Sequence, residues 1–546
     1  MENKEKLAER LFIEALNLIS KNNFTDAINR LETAHKIIPK RVSIINNLIS
    51  LKLKLNDTKD TLTLSEKLLS IDPNKFDYQI IYSEVLIKNN FFNKGKRVLK
   101  KLIRDKNNFK DIQKRINIYK LFCLLYSKVF IIKKNYFYLL KVYFLTKQLE
   151  DLSFVFFCAQ YLGNINKKKI CDLYKTTKAN FLISNKREKI NIGFISGDFH
   201  HHPVGFFISD FLREIRKFFN VNLYYTISEK DYLTNKIIFE SCDNFNFIQN
   251  LDEKKLIEKI KNDHIDVLVD LSGHTANNRM NIFTHRICPI QLTWIGFLGS
   301  TGIKNMDHII VDPHVLDKDE YFSEKPLIMP NIWCTMSKPI SNNIHFSNIS
   351  PVKKNNFFTF GCFNNLSKIN PNVIKVWSII LNKSPKSKIF LKTGGLNNKF
   401  IRSLFLREFK KNLVNENQLI FETSSPREDL LNCYNNIDLV LDTFPYSGGT
   451  TNFEASYMGA PILTKLGKSF LSNCGVSINK NLNMENFIAN TEEDYVNLAL
   501  FYSENVNKII DLRKQHQNHA LKSPLFDTKK FAAYFTEKIY GEYKKL

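Results

Sequence analysis

At 546 residues the chain is longer than one hydrophobic core usually supports, so about three domains of ordinary size are expected. A hydrophobic content of 44% excludes a disordered or fibrous chain. The formal charge of +25 would suit a nucleic acid, a membrane surface, or an acidic ligand or protein partner. Lysine and asparagine are mixed along the whole chain, however, and no basic run accompanies a recognisable nucleic-acid module, so no nucleic-acid partner is expected. The nine cysteines are scattered singly from Cys123 to Cys474, never at CxxC spacing, which fits thiols in a reducing compartment better than disulfides or zinc. The amino terminus, Met1 to Lys6, is charged and then amphipathic, unlike a signal peptide. The most apolar region, Leu121 to Leu145, is broken by Lys128, Lys133, Lys134 and Lys141, too often for a membrane span. A cytoplasmic protein is expected.

Residues 1–110 carry an internal period. Pro39 and Pro73, each closing a helical stripe, lie 34 residues apart, and Phe92 comes two such steps after Phe24. Helix pairs on this period resemble tetratricopeptide repeats, whose stacked units form a curved scaffold for extended partners, although the early tryptophan and glycine of such repeats are missing. Residues 111–184 stay helical, aromatic and basic and read as an extension joining the repeats to the next domain. The triplet Lys167-Lys168-Lys169 reads as solvated surface.

At Lys189 the periodicity changes. Strands are expected at Lys189–Ser196, Val221–Thr226, Asp266–Leu271, Gln291–Ile295 and His308–Val311, with helices or loops between them. This predicts a parallel sheet of Rossmann type over residues 185–345, with ligands at the carboxyl ends of its strands. The polar stretch from Ser341 to Asn356 reads as an interdomain linker. A second series occupies residues 355–546, with strands at Phe357–Phe363, Lys388–Lys392, Leu419–Phe421, Ile437–Leu441 and Pro461–Thr464. Helices are expected to begin near Pro371, Phe400, Pro426 and Thr451, and amphipathic helices close the chain. Two consecutive Rossmann-like domains resemble the GT-B class of nucleotide-sugar glycosyltransferases, so the expected fold is α/β GT-B preceded by an all-α repeat domain.

Within the second series the strand at Leu439–Leu441 runs through Asp442 to Ser447 into Gly448-Gly449-Thr450-Thr451 and a helix start. Such a strand end offers free N–H groups, two hydroxyls and the positive end of a helix dipole to an anion. It reads either as a phosphate seat or as an ordinary strand-turn-helix connection with a threonine cap.

Ordered blocks then resemble one family. These are Gly197-Asp198-Phe199-His200-His201-His202-Pro203, Asp266 to Thr275, QLTWIGFLGSTG at Gln291 to Gly302, Phe363 to Pro371, Leu441 to Thr451, and Ser523-Pro524-Leu525-Phe526. The chain is similar to the bacterial branch of the protein O-linked N-acetylglucosamine transferase and SPINDLY family, over about Lys189 to Tyr543. The resemblance implies an inverting, metal-independent transfer of a sugar, N-acetylglucosamine from UDP-GlcNAc in the leading reading, to serine or threonine hydroxyls of proteins, with no cofactor. Protein or peptide acceptors would lie along the helical repeats. It makes Lys368 the diphosphate-binding lysine, beside Asn364, and Thr450 and Thr451 the phosphate-contacting pair, with Asn365, Gly448 and Gly449 also expected to bind the donor. Arg427 matches a basic residue near the nucleotide, and Glu454 stands where the animal enzymes carry an aspartate on the ribose. Asp442 reads as a brace for the turn rather than a contact to the donor. His202 matches a histidine near the acceptor, as a base, as an orienting group, or simply packed on Pro203. Asp198 reads as a capping or bracing carboxylate or as a catalytic base, and His274 either faces the cleft or caps a loop. Asp266, on the acceptor side, and Gly449 stand where the animal enzymes carry histidines, and Leu430 stands where a ring might stack on the base. The SPINDLY branch transfers fucose from a guanine nucleotide, so a protein O-fucosyltransferase stays open. So does a repeat adaptor with weak catalysis.

Overall fold

The computed structural model describes residues 4–163, 165–174, 177–179, 181, 188–339, 341–347 and 349–546; the boundary expected at residues 184 and 185 lies outside them. The chain divides into two compact units, Met1–Val155 and Phe156–Leu546.

The first unit is helical: α1 (Lys4–Ser20), α2 (Phe24–Ile37), α3 (Val42–Lys54), α4 (Thr61–Ile71), α5 (Phe76–Lys88), α6 (Phe92–Arg104), the short α7 (Lys106–Lys110), α8 (Ile112–Lys128) and α9 (Ile132–Thr146), with α10 (Leu149–Ala159) containing the division point. Its period is written into the backbone. Asn22, Asn56 and Asn90, one 34-residue step apart, each turn the chain in the left-handed region at φ 59°, 55° and 66°. Asparagine tolerates that region better than other side chains with a Cβ, so one residue type at one spacing closes three successive helix hairpins. Ala8, Ala15, Ala27 and Ala34 are fully buried, which lets α1 and α2 approach closely, with Leu31, Ile44, Ile45 and Leu48 filling the space between pairs. The helical pattern continues past residue 110 to Val155 within this unit.

The second unit opens with the end of α10 and α11 (Lys167–Cys171) and contains two parallel sheets. The first has β1 (Asn191–Ser196), β2 (Asn220–Tyr225), β3 (Asn244–Phe247), β4 (Val267–Asp270), β5 (Ile290–Thr293), β6 (His308–Val311) and β7 (Lys325–Ile328), in the order β3-β2-β1-β4-β5-β6-β7. The second has β8 (Thr359–Cys362), β9 (Lys388–Lys392), β10 (Leu419–Glu422), β11 (Leu439–Leu441), β12 (Ile462–Lys465) and β13 (Ile488–Ala489), in the order β10-β9-β8-β11-β12-β13. Central strands such as Val267-Leu268-Val269 and Leu439-Val440-Leu441 are buried along their length, as parallel strands covered by helices on both faces require. The architecture is GT-B with an all-α repeat region before it. Strands β3, β7 and β13 were not expected from the sequence. All three are edge strands, two to four residues long, and β7 carries Pro326, which an edge tolerates.

Helices α12 (Pro203–Ile215) and α13 (Glu253–Asn262) belong to the first lobe. The second lobe is built with α14 (Pro351–Asn355), α15 (Pro371–Lys383), α16 (Lys399–Lys411), α17 (Arg427–Cys433), α18 (Thr450–Tyr457), α19 (Cys474–Asn481), α20 (Glu492–Glu504) and α21 (Val506–Lys522). The last helix, α22 (Thr528–Lys544), was expected with the second lobe but packs on the first: Phe535 meets Phe211 at 5.0 Å and Phe531 stacks on Trp294 at 5.7 Å. The linker from Ser341 is also held more firmly than its polarity suggested. Asn432 Nδ2 and Asn435 Nδ2 donate to the carbonyls of Asn343 and His345, while their amide oxygens accept from His345 N and Ser347 N. Side-chain amides thus satisfy an extended backbone that has no strand partner.

Candidate active site

In each sheet the direction of winding reverses between two neighbouring strands, β1/β4 in the first and β8/β11 in the second. A crevice opens outside the carboxyl ends at such a switch point, because the loops and helices after the two strands diverge to opposite faces. The residues after those four strands are Gly197–His202, Leu271–Thr275, Phe363–Lys368 and Asp442–Thr451.

The turn after β11 is built on Asp442, which is 1% exposed. Its Oδ1 accepts from Thr443 N at 2.9 Å and Gly448 N at 2.7 Å, and its Oδ2 from Ser447 Oγ at 2.5 Å and Thr464 Oγ1 at 2.8 Å. Burial pushes this carboxyl upward, and the bonds from Ser447, Gly448 and Thr464 pull it back. Asp442 is therefore the brace the sequence suggested. A Cβ on Gly448 would lie 2.4 Å from Asn452 Oδ1, so the turn needs glycine there. A Cβ on Gly449 would meet nothing within 4 Å: the residue borders open space. Gly449 precedes α18, and neither it nor Thr450 nor Thr451 gives its N–H to a backbone or side-chain acceptor among the described residues. Three donors and the positive end of α18 consequently face one place.

Lys368 approaches the same turn from the loop after β8. Its Nζ donates to Ser447 O at 2.9 Å and lies 4.0 Å from the centre of the Tyr446 ring. Desolvation lowers its pKa to about 8, against an upward pull from Asp442. The amine remains cationic near neutral pH in a poorly hydrated place, where its field on an anion is strong. Thr451 Oγ1 donates to Asn364 Oδ1 at 2.6 Å, and Asn364 Nδ2 donates to Thr443 Oγ1 at 3.1 Å, locking the two loops together. Asn370 Nδ2 adds a bond to Phe444 O at 2.7 Å. Asn365, expected to bind the donor, is exposed, and its Oδ1 instead accepts from Ser367 N at 2.9 Å within its own loop.

The first lobe meets this turn through α12. Phe207 stands edge-on to Phe453 at 5.2 Å, and the Arg427 guanidinium lies 3.5 Å over the Phe206 ring. Phe206 comes about one helical turn after His202, and Phe453 the same interval after Gly449, so both contacts lie about one turn inside the amino ends of α12 and α18. His202 caps α12: its Nδ1 accepts from Val204 N at 3.4 Å and stands 3.6 Å from Asp198 Oδ1. Burial and then His200 depress the His202 pKa to about 4, leaving a neutral ring. Because Nδ1 accepts, the ring proton sits on Nε2, which leaves His202 one N–H donor. Burial raises Asp198 to about 6, and its carboxylate accepts no hydrogen bond among the described residues. His200 Nδ1 pairs with Tyr225 OH at 3.0 Å.

The sequence profile of glycosyl transferase family 41 matches residues 158–338 and 351–535. The chain belongs to glycosyl transferase family 41. It is 32% identical over 365 residues to the probable UDP-N-acetylglucosamine–peptide N-acetylglucosaminyltransferase SPINDLY of Solanum lycopersicum, covering 65% of this chain and 38% of that protein. The probable UDP-N-acetylglucosamine–peptide N-acetylglucosaminyltransferase SEC of Arabidopsis thaliana is 26% identical over 354 residues, covering 62% of this chain and 36% of that one. The chain thus spans under two-fifths of the length of these curated relatives. In structure it is similar to a Thermobaculum terrenum O-GlcNAc transferase, with a TM-score of 0.79 at 21% identity, covering 100% of this chain and 99% of that one, which shows the shared fold.

Within this family 41 chain the structure corrects several sequence expectations. Asp266 does not join the acceptor side. It precedes β4 at the amino end of the sheet, opposite the crevice, where it accepts from Asn191 N at 2.8 Å and from Tyr543 OH at 3.2 Å. His274 comes after β4 but is 1% exposed; its Nε2 pairs with Thr301 O at 2.8 Å and its ring stacks on Phe156 at 4.3 Å. It supports the loop wall and offers no free edge to the crevice. Glu454 is 4% exposed and ion-paired with Arg427 Nε at 3.1 Å, so neither side chain is presented alone to a nucleotide. Burial raises this carboxyl and the Arg427 charge lowers it. Leu430 is half-buried on α17. Sequence reasoning missed Tyr446 beneath Lys368 and the Asn364–Thr451 clasp; the signal available was their place inside the two matching blocks. Among the described residues no group of three or more His, Cys, Asp or Glu converges as for a metal, and no helix is long and apolar enough to cross a membrane.

Proposed function

We propose that this chain is an inverting protein O-glycosyltransferase that moves a sugar, N-acetylglucosamine from UDP-GlcNAc in the leading reading, onto serine or threonine hydroxyls. The observation that carries the reading is the convergence of the Lys368 amine with the free N–H groups of Gly449, Thr450 and Thr451 at one turn. In the transfer the acceptor oxygen bonds to the anomeric carbon as the bond from that carbon to the diphosphate breaks. The diphosphate leaves with the electron pair, and its growing charge is met by Lys368 and the amide dipoles, the kind of preorganised field that dominates such catalysis. These groups stand in for a divalent cation, so a chelator should leave turnover unchanged. The acceptor proton passes to Asp198, while His202 Nε2–H orients an oxygen of the acceptor or sugar. The relatives named as peptide transferases favour a protein acceptor, for which the helical repeats offer an extended surface.

The test is incubation of the purified chain with UDP-GlcNAc or GDP-fucose and a panel of protein acceptors, read by intact mass. Addition of one N-acetylhexosamine supports the leading reading. Addition of one deoxyhexose instead selects the fucosyl alternative, which the likeness to the SPINDLY branch motivates. Absence of turnover with both donors would overturn the enzyme reading in favour of an adaptor.

Nucleoside diphosphate binding is expected to weaken as pH rises through about 8, where Lys368 loses its proton. Stability of the unliganded protein should move oppositely. A lysine whose folded pKa lies below its unfolded value binds fewer protons when folded, so stability rises between that pKa and the ordinary lysine range. Melting curves with and without UDP across this range check both signs. The acid limb of transfer is expected near pH 6, where Asp198 takes a proton, and Asp198→Asn should abolish it together with most of the activity.

A further inference from the structure

The end of α10 and the segment after it touch both lobes beside the crevice. In the first lobe the Phe156 ring stacks on His274, and a Cβ on Gly302 would lie 2.7 Å from it. In the second, the Tyr161 ring lies 4.8 Å from the Tyr446 ring, and a Cβ on Gly163 would come within 3.2 Å of Pro445. Phe157 stands edge-on to Tyr161 at 5.7 Å. Tyr446 in turn carries the Lys368 amine at 4.0 Å above its face. Tyr161, Tyr446 and Lys368 therefore form a continuous chain of contacts, the two rings tilted to each other, running from the segment after α10 to the anion seat. We propose that Tyr161 is a positioning residue for the donor: its ring fixes Tyr446, and through Tyr446 it holds the Lys368 amine at the diphosphate.

Lysine is a point charge on a flexible stem with several rotamers, and holding one of them requires fixed walls. Ser447 O supplies one hydrogen bond, and the Tyr446 face supplies a cation–π contact that depends on the tilt of the ring. That tilt is set by packing, with the Tyr161 ring against Tyr446. Burial also raises the Tyr161 hydroxyl to about 12, consistent with a dry wall that limits hydration of the amine behind it.

This inference rests on the proposed diphosphate site, and the experiment separates the two. Calorimetric binding of UDP and GDP to the full chain is measured against pH for the wild type, Tyr161→Phe, Tyr161→Leu, Tyr161→Ala and Tyr446→Ala. Failure of the wild type to bind either nucleotide sinks the site itself. If it binds, Tyr161→Ala and Tyr161→Leu are expected to weaken binding about tenfold, between the exposed and the desolvated values of a cation–π contact. They should also move the pH at which binding fades upward by about one unit, as water reaches the amine. Tyr161→Phe keeps the ring and should stay within about twofold of wild type. Tyr446→Ala should copy Tyr161→Ala, with the double variant little worse than either, because the two act through one contact. Folded Tyr161→Leu or Tyr161→Ala protein with wild-type affinity and an unmoved pH midpoint would overturn the proposal. If both Tyr161 variants fail to fold, the Tyr446→Ala profile decides: unchanged affinity and midpoint there overturn it equally.

Discussion

Lys368→Ala is expected to lower transfer about 100- to 1,000-fold in kcat, the range seen when one preorganised donor to a developing anion is removed. Lys368 is the cation held by the 447–451 turn, within 2.9 Å of the Ser447 carbonyl, and no second lysine or arginine donates to that turn among the described residues. The same variant should bind UDP or GDP more weakly and lose the pH dependence centred near 8. Its stability should hold or rise, because burial disfavours the charged amine in the unliganded protein. That combination is diagnostic: a residue that merely packs would lower the melting temperature when truncated, whereas a charge held against its own desolvation would not. Steady-state turnover and a melting curve on one preparation measure both, and full activity in Lys368→Ala would sink the assignment.

Asp442→Ala is expected to produce the largest loss of stability of any single change in the site. It removes the acceptor for Gly448 N, Ser447 Oγ and Thr464 Oγ1, all buried. Each orphaned donor costs roughly 1–3 kcal/mol. With partial relaxation the net destabilisation is expected at about 3–5 kcal/mol, comparable to breaking a buried charged network. Urea unfolding monitored by fluorescence measures it. Asp442→Asn should fall between wild type and Asp442→Ala, because one amide oxygen still accepts while the NH2 faces former donors. A loss below about 1 kcal/mol would mean that water replaces the carboxylate and the turn is not braced as described.

Part of the site was legible because its chemistry is local. The Gly448-Gly449-Thr450-Thr451 run after an apolar strand declares free N–H groups at a helix start, and among the described residues those of Gly449, Thr450 and Thr451 meet no protein acceptor. Lys368 was legible only with its neighbours Asn364 and Asn370, and both of these bind the turn after β11. Asp266 shows a signal that was available and misread. It stands before its strand, hence at the amino end, where a parallel sheet places no ligand. The Arg427–Glu454 pair was not legible, since partners 27 residues apart in sequence become neighbours only when α17 and α18 pack. Edge strands β3 and β7 escaped because four residues with one covered face carry too little alternation to register.

By itself the sequence determined the elements and their order: asparagines every 34 residues that turn helix pairs, buried apolar runs that become parallel strands, and a glycine-threonine turn that exposes amide dipoles. These come from backbone sterics and hydrophobic periodicity, which act over a few residues. Only the tertiary structure decided which groups share the crevice. It withdrew Asp266 and His274, tied Glu454 to Arg427, and set Tyr161 behind Tyr446 and Lys368. The reason is that charge and hydrogen bonding act through distance and burial, and both are fixed when the loops after β1, β4, β8 and β11 meet.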